Sequence, residues 1–425
     1  MSSLSQRDTQ SVWHPFTPQL NVQPPLALVR GEGALLFDEN NNAYIDGIAS
    51  WWVNVHGHAH PHIAERIAEQ VRTLEHAIFS GYTHRPAVEL AEKLLSLLRD
   101  MDRVFYSDDG STSVEVALKM ALQYWHNSGK PRTKIIAFEN AYHGDTFGSM
   151  SVGARNVFSQ AFEQHLFHVV HIPLPVLGRE SESLAALKKE LDDNTAAFIF
   201  EPLIQGAAGM LMYEPLFLDE MIGLCKKKNV PAIADEVMTG FGRTGKMFAT
   251  DFCVNKPDII CLSKGLTGGF LPLGATLCTD EIYSAFLTSD RTKTFFHGHS
   301  YTANPLACTA ALASLEVFEK EGTLLDVEEL QEFFAGQISR FEKHPAVKEV
   351  RHRGAVFALE IRTPEATSYL NPLADRVHGF FQERGIILRP LGNVLYVLPP
   401  YCITEEERTK VMDAIEEFVE SLETA

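Results

Sequence analysis

The 425-residue chain has no CxxC pair among its six cysteines, Cys225, Cys253, Cys261, Cys278, Cys308 and Cys402. That spacing excludes a paired-thiol redox motif or a ribbon-type zinc site, and predicts reduced, mostly buried thiols. No segment approaches the roughly 20 consecutive apolar residues of a membrane span. The N-terminal stretch MSSLSQRDTQSVWHP lacks the apolar core of a secretory leader. Basic residues are scarce relative to acids, with 37 Lys and Arg against 55 Asp and Glu and a formal net charge of -18. A phosphate-backbone partner is therefore disfavoured, since nucleic-acid binders concentrate positive charge. The glycine-bearing stretch Ser107 to Ser113 is neither a Walker loop nor GxGxxG, which argues against a nucleoside triphosphate or a dinucleotide there. These absences together predict a cytoplasmic protein without nucleic-acid or membrane partners.

What remains is ordinary globular composition, 45% hydrophobic and 22% charged, long enough for two domains with a large core. From residue 62 to about 320, helical patterns alternate with short apolar strands, the mark of an α/β layer fold. Beyond about 325 a smaller α+β region is expected. It holds strands at 347–350, 355–361, 385–388 and 394–398, paired hairpin-fashion, and helices near 371–384 and 404–423. The expected division is 1–60 for an N-terminal segment packing with the small domain, 61–325 for the large domain and 326–425 for the small one. The apolar stretch Asn304 to Glu319 reads as the connecting helix.

The central stretch is Asn255 to Ala275. Asp258-Ile-Ile-Cys-Leu262 reads as a strand, and Lys264 stands where it stops, ahead of Gly265, Gly268 and Gly269. Most lysines sit on solvated faces, but three other strand ends carry equally unusual polar residues. Lys134–Phe138 leads to Tyr142 and His143, Ala196–Phe200 to Glu201, and Val230–Ala234 to Asp235. Ligands of open α/β sheets bind beyond the strands' carboxyl ends, so these residues converge on one crevice. A fourth strand, Arg103–Tyr106, runs into Ser107-Asp-Asp-Gly-Ser-Thr-Ser113. There Thr112 and Glu115 read as a capping box, which leaves Gly110 and Ser111 just before a helix start with free N–H groups for a phosphate.

Upstream, 34–37 and 43–45 read as a hairpin that delivers Trp51 and Trp52 onto a loop. Adjacent tryptophans point to different sides of an extended chain, so one is core and the other a candidate wall for a ligand. His56, His58, His60 and His62 alternate, but Gly57 and Pro61 interrupt them and no Cys or acid stands at a zinc spacing. Histidines bonded to backbone are expected there, not a metal.

A phosphate cup, a stacking ring, a buried acid and an amine match what pyridoxal 5′-phosphate needs. Asp235 would partner the pyridinium nitrogen. Lys264 would bind the cofactor aldehyde and carry protons, once desolvation and nearby positive charge lower its pKa.

The runs ADEVMTGFGRTGK and PDIICLSKGLTGG resemble the signature of class III aminotransferases of the fold-type I pyridoxal-phosphate family, a likeness that extends over nearly the whole chain. More narrowly, Trp13-His-Pro-Phe16, Ser50-Trp-Trp52, Met120-Ala-Leu-Gln-Tyr-Trp125, Tyr142-His-Gly-Asp-Thr-Phe147 and Arg389-Pro-Leu-Gly392 with Tyr396 resemble a branch acting in biotin synthesis. That branch aminates 8-amino-7-oxononanoate. The resemblance implies a large domain built on a mostly parallel seven-stranded sheet between helices, a smaller α+β domain, and a homodimer with shared active sites. It implies catalytic roles for Lys264, Asp235 and Tyr142, and a phosphate site of Gly110 and Ser111 with His299 and Ser300 from the other subunit. Phe16, Trp51, Tyr142, Lys264, Gly298, Arg389 and Tyr396 would meet substrate, with Arg389 receiving a carboxylate. Phe16 stands where the commonest version has tyrosine, and His299-Ser300 where proline and threonine are frequent. The resemblance implies S-adenosylmethionine as amino donor, and the hydroxyl missing at Phe16 makes lysine the alternative. Another class III enzyme acting on an ω-amine is the remaining alternative.

Overall fold

The computed structural model describes residues 3–20 and 24–422. Its centre is a seven-stranded sheet. In spatial order the strands are Arg103–Ser107, Gly274–Cys278, Ile259–Leu262, Ala232–Asp235, Thr195–Phe200, Lys134–Phe138 and Val170–Ile172. Only Gly274–Cys278 runs antiparallel to its neighbours; the other pairings are parallel.

The sheet is apolar on both faces because helices cover both. Ile135, Ala137, Ala197, Ile199, Ile233, Ile259 and Cys261 form one cluster with Val114, Ala117, Leu118 and Ala121 of the helix Gly110–Asn127. The alternate residues, Ile136, Phe138, Phe198, Phe200, Ala232, Ala234, Ile260 and Leu262, join the main core on the other face. That period of two is why these short strands read as continuous apolar runs.

Pairing aligns the strand ends. Ala234 stands opposite Phe200 and Asp235 opposite Cys261, so Glu201, Asp235 and Lys264 emerge side by side on one edge. The long helix Pro305–Lys320, capped by the Asn304 side chain, packs against Pro61–Thr73 and Arg85–Leu97.

The C-terminal region departs from the expected pair of hairpins. Val347–Arg353, Val356–Ile361 and Val394–Val397 form one antiparallel three-stranded sheet. Ile386–Ile387 instead pairs in parallel with Ala43–Asp46, completing a four-stranded sheet with Leu28–Glu32 and Leu35–Asp38. A strand of two residues is too short to hold a hairpin by itself, and the chain's first hairpin offers it a ready edge. The final helix, Glu405–Glu420, has the expected capping box of Thr404 and Glu407; its expected end at 423 lies outside the described residues.

Two local readings are corrected. The helix after Arg103–Ser107 starts at Gly110, capped by Asp109 with Thr112, one turn earlier than expected. Asp109 offers the same reciprocal cap three residues upstream, and its carboxylate accepts from Thr112 N–H at 2.8 Å. Glu115 caps a different helix, accepting from the backbone of Gly148 and Ser149. The histidine loop bonds mainly to side chains, not backbone: His56 to Ser314, His58 to Asp46 and Asn54, His60 to Glu321 and His62 to Glu316.

Candidate active site

The floor of the site is made by four adjacent strand ends. Lys264 follows Ile259–Leu262 as the first residue of a 3-10 turn and adopts φ 45°. A non-glycine residue in the left-handed region costs on the order of 1–3 kcal/mol, so the surroundings must enforce it. Gly265 lies against Phe241, where a Cβ would come to 3.0 Å of its side chain. The Lys264 Nζ sits 4.5 Å over the Trp52 ring. Desolvation, aided by the Arg243 charge and opposed by Asp235 and Glu201, brings its pKa down to about 8.

Asp235 is buried, and its Oδ2 lies 2.7 Å from His143 Nδ1. Its other oxygen accepts from Val237 N–H. His143 is buried too, and its Nε2 has no partner among the described residues. Glu201 accepts from the backbone N–H of Tyr142 and of Gly206, and burial pushes its carboxyl up to about 7. Tyr142 donates its hydroxyl to Asp145 at 2.9 Å, and burial together with that carboxylate keeps the phenol protonated.

Gly110 and Ser111 open their helix, where N–H groups of the first turn have no intrahelical acceptor. Gly144 must lack a side chain, because a Cβ would stand 2.3 Å from Ser111 Oγ. The Tyr142-His143-Gly144 turn therefore closes directly onto the helix start. The Ser111 hydroxyl bonds Thr146.

Above the floor lies a wall of rings. Trp51 is 38% exposed and Trp52 only 5%, so one tryptophan faces outward and one inward as expected, although their segment is a turn and not the extended chain that alternation assumes. Their turn, Ala49–Trp52, holds Ala49, Ser50 and Trp52 at φ 49°, 62° and 70°. Asp46 clamps it by accepting from the Ser50 N–H and hydroxyl, and it is tied in turn to His58. Buried Arg243 donates to the carbonyls of Trp52, Asn54 and Pro399. Phe16 meets Trp51 edge-on at 5.5 Å and Phe158 at 5.7 Å. Phe158 also meets Tyr142 and Tyr369. Arg389 lies 4.9 Å over Trp51.

The structure thus gathers Phe16, Trp51, Tyr142, Asp235, Lys264 and Arg389 into one neighbourhood, with Gly110 and Ser111 beside Gly144. Tyr396 is not at the open mouth: it is buried, and its hydroxyl accepts from Trp52 Nε1 at 3.0 Å. Gly298, His299 and Ser300 lie on an exposed segment. In the single chain His299 Nε2 is 3.4 Å from Asp108, and the Ser300 carbonyl is held by His76. Sequence reasoning passed over Phe158 and Tyr369, isolated rings in polar loops without periodicity. Glu201 carried no assigned role, although it stands at a strand end as Asp235 does.

An amine of lowered pKa, a carboxylate two strands' breadth from a ring-bearing turn, and free N–H groups beside it form a donor set that fits a pyridine aldehyde bearing a phosphate. Among the described residues no group of His, Cys, Asp and Glu is arranged to hold a metal ion, and no helix is long and apolar enough to cross a membrane.

Comparison with known proteins gives the class. The family model described as aminotransferase class-III matches residues 17–419, and the chain belongs to that family. Its fold is that of the fold-type I transferases. A Synechococcus elongatus protein named adenosylmethionine-8-amino-7-oxononanoate aminotransferase is 47% identical over 421 residues, covering 97% of this chain and 99% of the relative. The crystal structure of the protein of that name from Methanocaldococcus jannaschii matches with a TM-score of 0.93 at 38% identity, covering 98% of both chains. An amine transaminase from an uncultivated Pseudomonas species, solved in a PLP-bound form, matches with a TM-score of 0.88 at 32% identity, over 96% of this chain and 97% of the other.

Proposed function

We propose that the protein transfers an amino group to 8-amino-7-oxononanoate, giving 7,8-diaminononanoate for biotin synthesis, with pyridoxal 5′-phosphate as cofactor and S-adenosylmethionine as donor. The observation that carries this reading is the row of Tyr142, Glu201, Asp235 and Lys264 on adjacent strand ends beneath Trp51 and Arg389. The names of the relatives above point the same way.

When bound, the cofactor supplies a ring that takes up the electrons left when a proton leaves the carbon bearing the amine. Lys264 Nζ is the group placed to attach the cofactor and to move that proton. With a pKa near 8, about one amine in ten is neutral at pH 7, far more than in a solvated lysine. Asp235 holds a proton at the ring nitrogen, and the His143 contact fixes the carboxylate that does so. Tyr142 offers its ring face, while Gly110 and Ser111 donate N–H groups to the phosphate. Arg389 takes a carboxylate, and Trp51 and Phe16 flank the aliphatic chain or the donor's flat base. Tyr396 supports this wall from behind through Trp52.

The proposal includes a homodimer in which His299 and Ser300 of the partner subunit complete the phosphate site. Ile78, Tyr82, Phe296 and Tyr301 support it, being 62%, 68%, 73% and 61% exposed on segments tied together by the His76–Ser300 bond. Large apolar side chains clustered on a surface are the ordinary mark of an interface. Lysine as donor is favoured by one observation only: the ring at Phe16 has no hydroxyl.

The test mixes purified protein, pyridoxal phosphate and 8-amino-7-oxononanoate with each donor in turn. Diaminononanoate formed with S-adenosylmethionine supports the full reading. Product with lysine alone replaces the donor, and no product with either removes the substrate assignment.

A further inference from the structure

Arg389 faces the mouth with a charge answered only by neutral oxygens. Its Nη2 donates to the Tyr369 hydroxyl at 3.1 Å and to the Phe16 carbonyl at 3.4 Å. Its guanidinium carbon lies 4.9 Å over the Trp51 ring, and among the described residues no carboxylate pairs with it. The hydrogen bond from Arg389 occupies a lone pair of the Tyr369 oxygen and leaves its O–H free to donate.

Tyr369 is held there by construction. Its loop is pinned on both sides: the Thr367 hydroxyl donates to Glu360 at 2.6 Å, and Asn371 donates to Thr363 at 2.8 Å. Asn393 also donates to Thr367. The Ser368 carbonyl presses so closely on Gly392 that a Cβ there would stand 1.7 Å away. That glycine, at φ 63°, sits in the tight turn closed by the Leu391–Val394 bridge, three residues after Arg389, so the Tyr369 loop packs against the segment that carries the arginine. On the far side Phe158 meets the Tyr369 ring edge-on at 4.8 Å.

We infer that Tyr369 is a specificity-determining residue: its hydroxyl, oriented by Arg389, is a second hydrogen-bond donor to the carboxylate of the substrate. The inference rests on the proposed reading of Arg389 as the carboxylate seat. A carboxylate entering the mouth meets a cation and a neutral donor side by side. An amine substrate without a carboxylate gains nothing from the hydroxyl and leaves its Arg389 bond in place. Had Tyr369 been present only to pack against Phe158, its ring alone would suffice.

The experiment uses nonanoate, a carboxylate with an alkyl tail that needs no turnover, titrated calorimetrically into the holoenzyme. Tyr369→Phe keeps the ring and its packing, and a melting temperature equal to wild type checks this. The expected result is binding weakened about tenfold, in line with one hydrogen bond to a charged group. In an Arg389→Ala background the same change should cost less than about twofold, because the hydroxyl has lost the group that orients it. A Tyr369→Phe dissociation constant within about twofold of wild type overturns the inference, as does a wild-type holoenzyme that does not bind nonanoate. Intact nonanoate binding with no amination of 8-amino-7-oxononanoate removes only the substrate assignment and leaves the role of Tyr369 standing.

Discussion

The floor and the mouth of the site are built by opposite means. The floor hangs from the ends of sheet strands whose side chains are buried on both faces, and its polar groups hold one another: Asp235 with His143, and Glu201 with two backbone N–H groups. The mouth is assembled from the segments around Phe16, Trp51, Phe158, Tyr369 and Arg389, widely separated in sequence and joined by ring edges and one guanidinium. Rigid dipoles fixed in a desolvated setting suit charge that appears during reaction. Partly exposed rings suit the choice of what enters. Chemistry and selection are thus carried by different parts of the chain.

That division can be broken most sharply at Lys264. Lys264→Ala should lower turnover by about 10⁴-fold, the upper end of what a positioned proton-transfer group supplies, while thermal unfolding stays that of a folded protein; wild-type turnover would assign the amine elsewhere. Asp235→Asn should slow the half-reaction by on the order of 10²-fold, with cofactor absorbance retained, as stopped-flow spectroscopy would show. The pH dependence is smaller. Only the neutral amine captures an aldehyde, and a pKa lowered to about 8 means that amine is lost as pH falls below 8. Cofactor uptake by apo-protein should therefore fall about tenfold per unit below pH 8 and level off above it; a profile still rising toward pH 10 would mean an unperturbed lysine. The mouth should respond least. Phe16→Tyr adds one hydroxyl worth about 0.5–1.5 kcal/mol, so the donor's KM should move by about tenfold or less, with kcat unchanged. A switch of donor on that change alone would show that a hydroxyl at position 16, not its ring face, selects the donor.

The floor was legible in the sequence because a polar residue ending an apolar run has few other reasons to be there. Lys264, Asp235 and Glu201 all carry that signal, and strand pairing brought them together. The helix start was misread by one turn because Asp109 with Thr112 and Thr112 with Glu115 satisfy the same cap pattern, and only the fold decides which forms. The partner of Ile386–Ile387 was not legible, since it lies some 340 residues upstream and two residues carry no periodicity. The partners of His56, His60 and His62 were hidden for the same reason: Ser314, Glu321 and Glu316 approach them only when Pro305–Lys320 packs on Pro61–Thr73. Phe158 and Tyr369 left no pattern, because a ring in an irregular loop acquires meaning only from what the loop is pinned against. Strain was equally silent: Ala49, Ser50, Trp52 and Lys264 all take positive φ near the site, and no residue type announces that.

The most direct test of separate floor and mouth is a double-mutant cycle of Asp235→Asn with Arg389→Ala, read as kcat and KM for 8-amino-7-oxononanoate. The account predicts that the first lowers kcat with KM nearly unchanged, and that the second raises KM about tenfold or more with most of kcat retained. In the double variant the losses in kcat/KM should multiply to within about 0.5 kcal/mol, as for independent sites. A coupling of about 1.4 kcal/mol or more, a tenfold departure from that product, would contradict the division.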